Sequence, residues 1–533
     1  MENKKKFYIT TPIYYPSGKF HIGTAYTTIL TDTIKRYKVL RGYDSYMLTG
    51  LDEHGQKIQT VAEKEGSKPQ EYVDKMAEAT KRLWKDMNIS YSDFIRTTDK
   101  RHEETVAKIF EKLLAQGDIY KGEYEGWYCM PCETYFTQTQ LVDGKCPDCG
   151  RDVQLMKEET YFFNMKKYQK RLEEFYEKNP DFIQPESRKN ELFNNFIKPG
   201  VEDLCVSRTS FDWGVKVPSD PKHVVYVWLD ALTNYITALG YMQEDDSKFK
   251  KYWPADLHII GKDIIRFHGI YWPIFLMALD LPLPKKIYAH GFISIRDGKM
   301  SKSKGNVIYP ENLTERYGVD ATKYFLLREF AFDQDISFTP ESFVNRFNAD
   351  LANDLGNLLN RTVGMINKYF EGKVDVSEAK TTEIDAKLEE KVLSNITEIE
   401  KLMDDLHVSN SLEKIWEIIS ISNKYIDETE PWKLAKSENE EDRKILVSVM
   451  AHLVENLRIV GTMLQAYMPE TAEKILNTLN VENRQWEDIK EIHSNSGIIE
   501  VPSKIEPLFA RLDVKEEMEY LENLIKGNRK IKM

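Results

Sequence analysis

Two short segments carry residue types suited to phosphate chemistry. HIGT at 21–24 lies between a β-rich run, FYITTPIYY, and a helical run, AYTTILTDTIKRYKVLRG. Gly18 and Gly23 let the backbone approach a ligand closely, and a helix start offers free N–H groups to an anion. His21 can donate to a phosphate oxygen, and Thr24 can add a hydrogen bond. Alone, such a segment more often marks an ordinary helix start. KMSKSKGN at 299–306 alternates Lys299, Lys302 and Lys304 with Ser301 and Ser303. A loop of that kind can fold over a triphosphate, set ammonium groups on the leaving pyrophosphate and stabilise charge developing in the transition state. The bland alternative is a solvated basic loop. For the two segments to work together, they must converge on one triphosphate.

Four of the five cysteines form the pairs Cys129-x2-Cys132 and Cys146-x2-Cys149, set in turn sequences (CMPC, CPDCG) and separated by 13 residues. No secretory signal is visible, so paired CxxC units point to metal before disulfide. Four thiolates suit a closed, structural, tetrahedral Zn²⁺ site, one per chain; without a histidine or open position, the site is not read as catalytic. Cys205 stands alone and reads as a buried, inert residue.

The elements that must position these groups follow from texture. At 533 residues the chain exceeds one core. Its 41% hydrophobic content is ample for folded modules. Strand, loop, helix and strand alternate through the first sixty residues, which suits a parallel doubly wound sheet with ligands at the strand carboxyl ends. Residues 118–222 break the rhythm and read as an insertion; the alternation resumes at HVVYVWLDALTNYITALG and DLHIIGKDIIRFHG. Beyond about residue 345 the pattern is helical, with Val392, Ile396, Ile399, Met403 and Leu406 on one face. Residues 341–533 carry 25 Lys and Arg against 37 Asp and Glu, the whole of the net charge of −12. That excludes a generic polyanion binder and leaves RNA recognition to local patches and base contacts. No window approaches roughly 18 consecutive apolar residues, so no membrane span is expected, and the N-terminus reads as that of a mature cytoplasmic protein.

HIGT and KMSKS, in that order and setting, resemble the two signature motifs of class I aminoacyl-tRNA synthetases, with Thr24 where the first motif usually ends in a second histidine. The segments TTPIYYPSGKFHIGTAYT, TGLDEHGQKI, VYVWLDALTNYITALG, IIGKDIIRFH and HGFISIRDGKMSKSKGN resemble the methionyl branch of that family. The resemblance implies an α/β, class I Rossmann-type catalytic domain split by a connective insertion with a zinc knuckle, then an α-helical bundle that binds the anticodon. Its implied divisions are 1–117 and 223–290 for the catalytic domain, 118–222 for the insertion (knuckle 129–149), 291–345 for the lysine loop and stem-contact region, 346–510 for the helical domain, and 511–533 for a C-terminal helix and basic tail.

By the same resemblance, methionine lies against Ile13, Tyr15, Trp228, Tyr235 and His290, with Tyr15 and His290 reaching its sulfur and Asp52 holding its ammonium group. A flexible apolar slot with one or two polar contacts is what a thioether needs. ATP lies by Gly261, Lys262 and Asp263, with His21, Gly23, Thr24, Lys299, Ser301, Lys302 and Ser303 on its phosphates; His268 reads as a packing residue. Arg208 matches a family arginine near the substrate. Mg²⁺ is expected with the ATP. The methionine carboxylate would attack the α-phosphorus, and the terminal adenosine hydroxyl of tRNA(Met), initiator included, would then attack the acyl carbon. Asn353, Asn357 and Arg361, at four-residue spacing, and Trp432 would read the CAU anticodon. Without the resemblance, those polar residues read as a solvated helix face and Trp228 and Tyr235 as a core stripe. The insertion leaves no room for the editing domain that synthetases for smaller apolar amino acids need. The rivals are a cysteine-specific relative and a paralogue that binds RNA without chemistry. A monomer is expected, because the chain stops short of the extra tRNA-binding domain of longer members.

Overall fold

The computed structural model describes residues 4–132, 134–295, 298–299, 307–331, 334–492 and 497–530. They form two compact units, one of residues 1–20 and 44–290, the other of 21–43 and 291–533.

The first unit is built on a parallel sheet of β1 (Lys6–Tyr14), β2 (Asp44–Leu51), β3 (Asp93–Arg96), β7 (Ile183–Gln184), β11 (Leu257–Gly261) and β12 (Ile287–His290), in the spatial order β3-β2-β1-β11-β12-β7. β1 pairs with both β2 and β11, Ile9 opposite Leu257 and Thr10 opposite His258. The chain order thus reverses beside β1, the switch point at which such sheets bind ligands. β1 is buried on both faces, as a central parallel strand must be. Pro12 lies in β1, and the register with β2 shifts between Thr10 and Ile13, a bulge that accommodates the missing N–H. Gly50 in β2 is dictated by contact: a Cβ there would come within 2.0 Å of the Ile95 carbonyl oxygen. The helix Lys100–Ala115 presents Val106, Ile109, Phe110 and Leu113, one helical stripe, to a core that includes Leu48 and Ile95. Each such side chain contributes about 1.5–3 kcal/mol on burial.

Residues 118–222 carry an antiparallel sheet in the order β5-β4-β6-β8, made from β4 (Ile119–Cys129), β5 (Thr134–Phe136), β6 (Gln154–Phe163) and β8 (Leu204–Cys205). The same stretch also supplies β7 to the edge of the parallel sheet. The apolar run HVVYV, expected to resume the parallel pattern, instead gives β10 (Val224–Val225), which pairs antiparallel with β9 (Ser207–Arg208). It is followed directly by the short helices Val227–Leu232 and Asn234–Thr237. Composition could not distinguish a two-residue ribbon from a sheet strand.

In the second unit, the helix Ile22–Leu40 is fixed through buried Asp32, which pairs with Lys323 of the helix Val319–Glu329 (3.5 Å) and with Arg36 one turn on (2.8 Å). Asp320 of that second helix accepts the Thr471 N–H at 2.6 Å and so caps the helix Pro469–Thr478. A small sheet, β14-β13-β15, is formed by β13 (Ile293–Ile295), β14 (Gly298–Lys299) and β15 (Ile336–Phe338). β16 (Lys373–Asp375) pairs with β17 (Ile498–Glu500). Val392, Ile396, Ile399 and Met403 are buried along the helix Glu383–Asp404, and Leu406 is buried just past its end. The helix Glu440–Leu464 is long and apolar enough to cross a membrane, but 89% of its apolar window is buried among its neighbours.

A candidate active site at the strand carboxyl ends

In the first unit, the carboxyl ends of four neighbouring strands deliver the residues expected to hold methionine and adenosine. Ile13 and Tyr15 stand at the end of β1, Asp52 just after β2, Gly261 at the end of β11 and His290 at the end of β12. The Asp52 N–H donates to Tyr14 O at 2.9 Å, which keeps the first two strand ends in step. After β11 the chain turns directly into a 3₁₀ turn, Lys262–Ile264. A Cβ on Gly261 would sit 2.6 Å from Asp263 Oδ1, so glycine is what lets that carboxylate fold back over the strand end.

Trp228 and Tyr235 lie on the two short helices after β10. Trp228 stacks on Phe267, ring centroids 3.5 Å apart. Tyr235 is buried; its hydroxyl meets His268 Nε2 at 2.7 Å, and its ring lies 4.2 Å from that of His258. His268 Nδ1 donates to Ile264 O at 3.0 Å, so Nε2 is the acceptor and the Tyr235 proton points at it. Burial pulls the His268 pKa down to about 4, consistent with a neutral ring. His258 is likewise held neutral by burial: it accepts Trp272 Nε1–H at Nε2 (3.2 Å) and donates from Nδ1 to Thr10 Oγ1 (2.7 Å). His268, read from the sequence as packing, is therefore the group that orients Tyr235. The signal available was its position one turn beyond GKD on the same run.

The DEHG segment is pinned from several sides. Glu53 N–H donates to Thr97 Oγ1 (2.9 Å), and its carboxylate receives Arg96 Nε–H (2.8 Å) and the Thr98 hydroxyl. Trp213 Nε1–H donates to Glu53 O (2.6 Å), and the Tyr15 hydroxyl donates to His54 O (3.1 Å). Arg208 is buried among the rings of Tyr128, Tyr135 and Tyr226, at 4.9, 4.3 and 4.7 Å, with Nη1 4.0 Å from Glu158. That cage, rather than the strand ends, is its setting.

In the second unit, His21 is the N-cap of the helix Ile22–Leu40, and its Nδ1 accepts the Gly23 N–H at 3.0 Å. In the neutral ring the proton is then on Nε2, as a donor. Ile22 N–H donates to Ile308 O at 2.9 Å. The chain leaving the lysine-rich loop is thus bonded to the helix start that carries His21. Lys299 closes β14, opposite Ser294. Its side chain and residues 300–306, with Ser301, Lys302 and Ser303, lie outside the described residues.

The four cysteines meet as their spacing implies. Their sulfurs lie within 4.8 Å of one another, Cys129 to Cys149 at 3.5 Å and Cys132 to Cys146 at 3.8 Å. Those separations exceed an S–S bond and match the edges of a tetrahedron with Zn–S of about 2.3 Å. Phe136, Leu141 and Val153 pack around them. Burial raises the thiol pKa of Cys129 to about 12 and that of Cys132 further, and neighbouring thiolates add to it. A central dication removes that penalty, so the donor set fits zinc.

In the helical region, Asn353 and Asn357 are exposed and Arg361 is half-buried. Asn353 falls in a π-helical stretch, Phe347–Gly356, and the other two in the α-helix Asn357–Phe370. Arg361 pairs with Asp427 at 3.0 Å near the end of the helix Val408–Thr429. That helix stops at Glu430, and Pro431–Leu434 follows with Trp432 exposed. The ion pair ties the helix that carries Arg361 to the helix that precedes Trp432.

Comparison with known proteins agrees with this arrangement. A family profile described as tRNA synthetases class I (M) matches residues 7–155 and 149–363, and one described as the anticodon binding domain of methionyl tRNA ligase matches 376–529. Methionine–tRNA ligase 1 of Bacillus cereus is 56% identical over 99% of this chain and 81% of its own length. The methionine–tRNA ligase of Listeria innocua shows the same identity and coverage. The structure of Mycobacterium tuberculosis methionyl-tRNA synthetase in complex with methionyl-adenylate superposes with a TM-score of 0.91 at 41% identity, covering 95% of this chain and all of that one. Its apo form superposes at 0.84 and 39%, covering 96% and 99%. With sheet, cysteine cluster and helical region all matched, the chain belongs to the methionyl class I aminoacyl-tRNA synthetases.

Proposed function

We propose that the chain ligates L-methionine to its cognate tRNA, initiator included, through methionyl-adenylate. The observation that carries the reading is the bond from Ile22 N–H to Ile308 O, because it attaches the exit of the lysine loop to the helix start of His21. Methionine sits against Ile13, Tyr15, Trp228, Tyr235 and His290, with Asp52 taking its ammonium group as a charge-assisted contact. Trp228 and its stacking partner Phe267 supply the apolar wall. Tyr235, its proton engaged by His268, presents a fixed phenol rather than a rotating one.

ATP, bound as its Mg²⁺ complex, rests its adenosine by Gly261, Lys262 and Asp263. His21, Gly23, Thr24, Lys299, Ser301, Lys302 and Ser303 take the phosphates. The methionine carboxylate attacks the α-phosphorus and pyrophosphate departs. The terminal adenosine hydroxyl of the tRNA then attacks the acyl carbon and AMP departs. No protein nucleophile takes part; positioning and preorganised charge carry the rate. Cys129, Cys132, Cys146 and Cys149 hold a structural zinc, which when bound stiffens the knuckle. Asn353, Asn357, Arg361 and Trp432 read the anticodon by edge hydrogen bonds and stacking.

The test is ATP–pyrophosphate exchange with each proteinogenic amino acid, followed by charging of tRNA(Met). Exchange dependent on methionine, and methionine transferred to that tRNA, is the expected result. Exchange with cysteine instead, or none with any amino acid, would refute the reading.

A further inference from the structure

A buried charged cluster in the first unit is used by none of the chemistry above. His54, Asp230 and His102 are 2%, 0% and 0% exposed. His54 Nδ1 lies 2.7 Å from Asp230 Oδ2, and His102 Nε2 lies 2.8 Å from Asp230 Oδ1. The other nitrogen of His54 faces Glu103 at 3.4 Å, so both of its ring nitrogens point at carboxylates, a setting that favours the doubly protonated ring. The Trp213 ring lies edge-on to it at 5.5 Å. His102 closes the cluster through Nδ1 to the Thr237 hydroxyl, 2.7 Å. The cluster joins three separate elements: the DEHG segment after β2, the helix Lys100–Ala115 and the helix Val227–Leu232.

An ion pair at zero exposure is a poor source of net stability, since desolvation offsets most of the attraction. What it does supply is a fixed geometry, and what it fixes here is specific. His54 follows Asp52 by two residues, and its carbonyl oxygen accepts the Tyr15 hydroxyl. Asp230 follows Trp228 by two residues on one helical turn, so the two side chains project from opposite sides of that turn. A shift of Asp230 therefore rotates Trp228 against Phe267. A shift of His54 carries Asp52 and Tyr15 with it.

We propose that His54 and Asp230 are positioning residues for the methionine pocket, one buried pair that sets Asp52 and Tyr15 from one side and Trp228 from the other. This rests on the reading of the methionine pocket given above. Neither residue touches the substrate. Their effect falls on methionine and spares ATP, whose proposed adenosine contacts follow β11.

The experiment measures exchange kinetics and thermal unfolding for His54→Gln, Asp230→Asn and the double variant, with Tyr235→Phe as the reference for the pocket. Each single variant is expected to raise the methionine KM about tenfold while the ATP KM stays within about two-fold. The double variant should be no worse than the weaker single, because both break one pair. Methionine KM unchanged in folded single variants overturns the proposal. So do methionine and ATP KM rising together, or losses that multiply in the double. Should a single variant fail to fold, the charge-free pair His54→Asn/Asp230→Asn carries the same test, and a wild-type methionine KM in it overturns the proposal. If Tyr235→Phe leaves the methionine KM unmoved, the pocket reading itself fails. If Tyr235→Phe moves it and the His54 and Asp230 variants do not, only the positioning role fails.

Discussion

A histidine at a helix start can be an N-cap or a phosphate donor; His21 is seen as the N-cap, and the phosphate role is the proposal made above. Its Nδ1 is spent on the Gly23 N–H, which leaves the ring proton on Nε2. Lys302 has no such second task in the reading above: it acts on charge that appears only as pyrophosphate leaves. Lys302→Ala should therefore lower the rate of adenylate formation by about 10²–10³ while methionine binding stays within about two-fold, as read by single-turnover kinetics and equilibrium titration. Equal losses in both would contradict a transition-state role. Residue identity was legible where type and spacing fix a geometry, as for the four cysteines, whose sulfurs meet within 4.8 Å. It was not legible where the role comes from a distant partner. His54 and Asp230 lie 176 positions apart, and His102 and Asp230 lie 128 apart, so no local spacing marks them as a cluster.

Among elements, the cysteine knuckle was the most legible, because tetrahedral thiolate geometry constrains spacing within each pair. Metal analysis of protein purified without chelator should give about one zinc per chain. Cys146→Ser should lose that zinc and lower the denaturant midpoint; protein with no bound metal would remove the claim. The helical stripe from Val392 to Met403 was equally plain, because 3.6-residue periodicity and burial on one face are the same fact. The π-helical stretch Phe347–Gly356 was not visible, since a wider turn leaves no trace in composition. Neither was the two-residue β7, recruited to the main sheet from within residues 118–222. Trp432 stands 39% exposed at the start of its short helix, on the face open to a base. Trp432→Ala should cut kcat/KM for tRNA charging about 5- to 150-fold, the range for one lost base stack, and leave pyrophosphate exchange intact. A matching loss in exchange would contradict its assignment to the anticodon.

Across the whole molecule, buried histidines in opposite charge states should shape stability against pH. Burial holds His268 down at about 4, so the stability that depends on its neutral ring is present above the unfolded value near 6.5 and is lost as pH falls toward 4. For His54, burial alone would lower the pKa, but Asp230 and Glu103 outweigh it and hold the pKa up at about 10. Its contribution is complete below 6.5 and is lost as pH rises toward 10. Asp230, which burial would raise, is held down at about 2 by the two histidines, so it stays ionised across that range. Urea midpoints should therefore peak near neutrality, and His54→Gln should flatten the alkaline limb; an unchanged alkaline limb would contradict the charged state assigned to His54. The parallel sheet and the helical second half were legible as alternation and periodicity. The grouping of residues 21–43 with residues 291–533 was not, because it depends on the buried Asp32–Lys323 pair and the Ile22–Ile308 bond rather than on chain order.

That same grouping bears on the central claim, that the helix start of His21 and the lysine loop act on one triphosphate. The most direct measurement is a double-mutant cycle on exchange kcat with His21→Asn, Lys302→Ala and both together. Groups acting on one transition state should give singles that each lose about 10²–10³ and a double that loses much less than their product, with methionine KM near wild type throughout. Losses that multiply fully, or a His21→Asn enzyme as fast as wild type, would show that the two segments serve different ends.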